Sequence, residues 1–96
     1  MGMSKQEMFK LIAQKLREHG AIKVAIFGSY ARGEQTRESD IDIIVEFSKT
    51  KSLLKLVRIE RELSETLSVK VDLLTTKSIS PYIKDRVAEE MVVIHG

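Results

Sequence analysis

Between residues 4 and 19, apolar side chains recur at helical spacing. Met8, Phe9, Leu11, Ile12 and Leu16 fall on one stripe among charged neighbours, which predicts an amphipathic helix. Ser4 is placed to cap it, with Glu7 three residues on as in a capping box, and Gly20 to end it. The period then changes. Ile22–Phe27 is a short apolar run rich in β-forming residues, as a buried strand would be. Gly28-Ser29-Tyr30-Ala31-Arg32-Gly33 interrupts it. A helical turn is expected within residues 30–37, before a polar loop. Ile41–Phe47 reads as a second strand. Residues 52–67 read as a second helix, with Leu53, Leu56, Val57, Glu60, Leu63 and Leu67 near one face. Val69–Leu74 reads as a third strand, and Pro81–Glu90 as a helix entered from a turn at Ser78. Met91–Ile94 fits either a last strand or the end of that helix.

The order helix, strand, glycine turn, strand, helix, strand, helix predicts an α/β (α+β) domain, a small mixed β-sheet flanked by helices. The chain has 96 residues, 43% of them hydrophobic and 31% charged. One domain over residues 1–96 is expected, with a modest core of its own. No apolar run approaches the ~20 residues of a membrane span. The N-terminal sequence lacks a signal-peptide core, so a cytoplasmic location and no membrane partner are expected. There is no cysteine, which excludes disulfides, thiol catalysis and cysteine-bound zinc. His19 and His95 are far apart in sequence and make a poor metal pair. A net charge of +2 with five aromatic-rich positions at most, three Phe and two Tyr, argues against a nucleic-acid partner.

The acidic residues are unevenly used: ten Glu, but only four Asp, at 40, 42, 72 and 85. Asp40 and Asp42 open the second strand, where period-two geometry puts both on the face opposite Ile41, Ile43 and Val45. Asp72 interrupts an apolar strand, a costly place for a lone carboxylate. If that strand pairs beside the second, three carboxylates share one patch. Oxygen-only ligands of this kind suit Mg²⁺ or Mn²⁺. Asp40 also fits an ordinary turn, and Asp72 an exposed sheet face. Gly28-Ser29 follows a strand and opens a helical turn, where backbone N–H groups favour phosphate. Gly28 would let backbone approach a ligand, Ser29 would add a donor, and Arg32 could reach a phosphate. Equally, Gly28 fits a plain turn and Ser29 a helix cap. An aspartate pair that opens a strand after a Gly-Ser turn does not fit dehalogenase-type phosphatases or metal-dependent glycosyltransferases. No P-loop motif occurs.

Gly28-Ser29, ten residues, then Asp40-x-Asp42 resembles the signature of the nucleotidyltransferase superfamily that includes DNA polymerase β. The wider stretch FGSYARGEQTRESDIDIIVEF is similar to minimal nucleotidyltransferases, the antitoxins of modules whose toxin is a helical HEPN-domain protein. The resemblance runs from the first helix through VDLL, where Asp72 matches the third carboxylate. It implies the polymerase β-like nucleotidyltransferase fold and catalysis with two Mg²⁺ ions held by Asp40, Asp42 and Asp72. Asp42 would bridge the ions. Gly28, Ser29 and Arg32 would bind the phosphates of ATP or another nucleoside triphosphate. AMP would pass to a hydroxyl, a tyrosine of the HEPN-type partner, which silences the toxin. A chain this short implies that another chain supplies the acceptor site. Homo- and hetero-oligomers are both compatible with it. The alternative is a non-catalytic antitoxin that neutralises a helical partner by complex formation.

Overall fold

The structure is a computed structural model that describes residues 3–96; of the domain expected over residues 1–96, Met1 and Gly2 lie outside the described residues. The elements are α1 (Lys5–Glu18), β1 (Ala21–Phe27), α2 (Ser29–Arg32), β2 (Ile41–Phe47), α3 (Leu53–Leu67) and β3 (Val71–Thr75). A 3-10 turn (Thr76–Ser78) leads to α4 (Pro81–Glu90) and β4 (Val92–His95). Strand order is β3-β2-β1-β4. β1 runs antiparallel to β2 and β4, and β2 parallel to β3, so the sheet is mixed. The parallel pair needs a crossover, and α3 supplies it.

The cap of α1 is the one expected, and α3 and α4 carry serine caps of their own. The Ser4 hydroxyl accepts from Glu7 N–H at 3.1 Å and donates to the Glu7 carboxylate. Ser52 caps α3 by accepting from Lys55 N–H, and Ser80 caps α4 ahead of Pro81. The open choice at the C-terminus resolves as a strand. Val92 and Val93 pair with Ile26 and Ala25, so residues 92–95 extend the sheet rather than α4.

Alternation divides the sheet into two faces. Val24, Ile26, Ile41, Ile43, Val45 and Val71 point to one side and pack with Met8, Ile12 and Leu16 of α1 and Ile59, Leu63 and Leu67 of α3. Two of the residues assigned to the inner stripe of α3 are exposed instead. Val57 stands one position off the stripe, and Leu53, at the start of α3, is 77% exposed. The other face carries Asp42, Ile44 and Ala25. Above Ala25 and Ile44, α4 closes a cavity of about 190 Å³ with Ile79, Val87 and Met91. No residue of α4 is buried, so this helix is a loose cover. Among the described residues, no helix is long and apolar enough to cross a membrane.

Candidate active site

The two strands that carry the aspartates lie side by side in parallel register, Ile41 against Val71 and Asp42 against Asp72. Adjacent strands are about 4.8 Å apart, so the carboxyl groups of Asp42 and Asp72 are neighbours on the face away from α1 and α3. Asp42 is half-buried, and burial pushes its carboxyl above the usual range. The charges of Asp72 and then Asp40 push the same way, together with a hydrogen bond that the protonated Asp42 carboxyl donates to Asp72, while Arg32 opposes them weakly.

Phe27 faces Asp42 in the β1–β2 ladder, so the next residue, Gly28, passes directly over the carboxylate. Gly28 has φ +75° and ψ −151°, a backbone region open in practice only to glycine. A Cβ there would strike Asp42 Oδ2 and lie 3.3 Å from Cγ. The glycine is therefore required twice, by conformation and by the room Asp42 needs. Ser29 begins α2, which is only four residues long and narrower than the helical turn expected over residues 30–37. Tyr30 is buried and pins this turn to the core. Gly33, at φ +73°, ends it in the left-handed conformation. The Ser29 carbonyl accepts from Glu34 N–H at 2.9 Å.

Two expected site residues are placed differently. Asp40 precedes β2, and its Oδ2 lies 3.8 Å from Lys70 Nζ. The three carboxylates are thus a close pair with a third at the margin. Among the described residues, no three His, Asp or Glu side chains form a ready cation-binding group. Arg32 donates to Glu34 at 3.1 Å and to Glu90 of α4 at 3.4 Å. To meet a phosphate it must exchange at least one of these carboxylates. Sequence patterns missed Lys70 and Glu90, since ion pairs between exposed side chains leave no periodic trace. Tyr30 left a signal, an apolar ring directly after the Gly-Ser turn.

The residues fit a divalent cation by their chemistry. Asp42 and Asp72 offer only oxygen donors, one of them desolvated, and among the described residues no lysine or arginine is bonded to either. Two carboxylates so placed repel until a proton or metal stands between them. The half-buried Gly28-Ser29 turn lies beside them.

Residues 9–94 match the family model of the nucleotidyltransferase domain. A candidate protein adenylyltransferase of Methanocaldococcus jannaschii, MJ0435, is 51% identical over 90 residues, covering 94% of this chain and 97% of that protein. Protein adenylyltransferase MntA of Thermococcus cleftensis is 39% identical over 82 residues, covering 84% of this chain and 83% of its own length. Among solved structures, a toxin–antitoxin crystal structure with AMP-PNP superposes with a TM-score of 0.84 at 29% identity. That match covers 92% of this chain and 73% of the other.

Proposed function

The chain belongs to the nucleotidyltransferase domain family, and from that premise we propose that it transfers AMP from ATP to a tyrosine hydroxyl of a HEPN-type partner toxin in the cytoplasm, and so serves as its antitoxin. The observation that carries this reading is the Asp42–Asp72 pair set in register across β2 and β3 beneath the Gly28 backbone. The relatives support the chemistry: MJ0435 is named a candidate protein adenylyltransferase, and MntA of Thermococcus cleftensis a protein adenylyltransferase. One neighbouring fold was solved as a toxin–antitoxin with AMP-PNP. The HEPN type of the partner rests on the resemblance of the Phe27–Phe47 stretch.

In this mechanism Asp40, Asp42 and Asp72 would hold Mg²⁺, or Mn²⁺. Bound there, the metal neutralises charge on the phosphates and stabilises both the attacking and the leaving oxygen. Asp40 must turn from Lys70 to take part. Gly28 N–H and the Ser29 hydroxyl hold the β- and γ-phosphates, and the missing side chain at 28 lets them approach the carboxylates. Arg32 contributes once it leaves Glu90. Asp72 orients the acceptor hydroxyl and receives its proton as the hydroxyl oxygen bonds to the α-phosphorus. The bond from that phosphorus to the bridging oxygen breaks, and pyrophosphate departs. The protein's contribution is to fix charge and geometry in advance.

The test is direct. The purified chain is incubated with Mg²⁺, α-labelled ATP and a co-purified small helical partner. The expected result is label on a partner tyrosine, lost in excess chelator. Label that stays in free nucleotide at every metal concentration would refute the proposal.

A further inference from the structure

The structure assigns to Glu60 of α3 a positioning role: with Ser64 it grips the outer edge of β3 and fixes where Asp72 stands beside Asp42. The assignment rests on the metal-dependent reading above. β3 is an edge strand with one ladder neighbour, β2. The outward N–H groups of an edge strand ordinarily meet solvent. At the two positions flanking Asp72 they do not. Val71 N–H donates to Ser64 Oγ at 3.1 Å, and Leu73 N–H donates to Glu60 Oε2 at 2.8 Å. The Ser64 hydroxyl donates in turn to the Glu60 carbonyl at 2.9 Å, so one turn of α3 makes both contacts.

Asp72 lies between these two anchored residues. On its inner side the ladder sets it level with Asp42, and two like charges in register push their strands apart. The grip from α3 opposes that push from outside. A strand bonded along both edges cannot drift from its neighbour, and the Leu73 bond is of the stronger, charge-assisted kind. The sequence carries the trace: Glu60 falls near the apolar face of α3, next to the buried Ile59. Packing has no use for a carboxylate there, but the Leu73 amide does.

The experiment uses the full chain and Mn²⁺ alone, titrated by calorimetry, with amide hydrogen exchange at Leu73 and Val71 followed in parallel. Glu60→Ala should weaken Mn²⁺ binding by about 10-fold, the lower end of what the outer partners of metal ligands contribute, and speed exchange at Leu73. Glu60→Gln keeps an oxygen to accept from Leu73 N–H and should bind Mn²⁺ close to the parent. Two results overturn the assignment: a folded Glu60→Ala protein that binds as tightly as the parent, or a Glu60→Gln protein as weak as Glu60→Ala. The second would mean that charge, not the hydrogen bond, was at work. If Glu60→Ala does not fold, Ser64→Ala removes the Val71 contact and the hydroxyl's bond to the Glu60 carbonyl, leaves the Leu73 contact, and is read in the same way. Asp72→Asn serves as the reference. If it binds Mn²⁺ like the parent, the metal reading fails and takes the assignment with it, a result visible without any Glu60 variant.

Discussion

Asp42→Asn should make the metal-free protein more stable while abolishing transfer. Asp42 and Asp72 stand in register on neighbouring strands, about 4.8 Å apart. At an effective dielectric near 20, two charges at that distance cost roughly 3 kcal/mol. Both residues are half-buried, and solvent reduces the cost to about 1 kcal/mol. An amide at position 42 keeps the shape and removes the repulsion. For a domain of this size, about 1 kcal/mol raises Tm by roughly 4–8 °C. The pH dependence has a definite sign. Burial and the neighbouring carboxylates raise the Asp42 pKa in the folded state above its ordinary value. Its contribution to stability is therefore complete below the ordinary carboxylate range and is lost as pH rises through the raised value. The gap between variant and parent should close as pH falls through that value, where Asp42 carries a proton and is as neutral as asparagine. The assay is thermal unfolding by circular dichroism in excess chelator, from neutral pH downward. Added Mg²⁺ should reverse the order, since only the parent gains from binding it. A chelated Asp42→Asn protein that melts several degrees below the parent at neutral pH would refute the reasoning, for Asp42 would then be a structural acceptor.

Two further predictions concern the phosphate side of the site. Gly28→Ala places a side chain in a glycine-only conformation and against Asp42. It should cost at least about 1–3 kcal/mol and eliminate ATP binding, as measured by urea unfolding and calorimetry; an alanine variant that binds ATP normally would remove Gly28 from the site. Glu90→Gln frees Arg32 from one of its two carboxylates and should tighten ATP binding by a few-fold. Unchanged affinity in that calorimetric titration would leave Arg32 as a tether for α4 rather than a phosphate ligand.

The features legible in the sequence are those written as period or punctuation. The 3.6-residue stripe around Ile12 and Leu16, the Ser4 cap, and alternation about Asp42 are local properties, and the structure keeps them. The pairing of Asp42 with Asp72 required one further step, that β3 lie beside β2, and the length of the α3 crossover permits it. Other features depend on where exposed side chains meet after folding. Asp40 turns to Lys70 and Arg32 to Glu90, contacts between residues 30 and 58 positions apart that no spacing rule encodes. Leu53 shows the same limit from the apolar side. It continues the helical stripe, yet it stands 77% exposed at the start of α3, so periodicity supplied a face and tertiary structure withheld the partner.

The central claim, that these carboxylates perform nucleotidyl transfer rather than shape a surface that merely occludes a partner, is tested most directly by co-expression with the proposed HEPN-type partner. Growth is scored, and the intact mass of the purified partner is measured with the parent chain and with Asp72→Asn. The parent should permit growth and return a partner heavier by one or more adenylyl groups. Asp72→Asn should still co-purify with the partner, return it at its unmodified mass, and fail to restore growth. Full protection by Asp72→Asn with the partner's mass unchanged would contradict the account and establish neutralisation by binding alone.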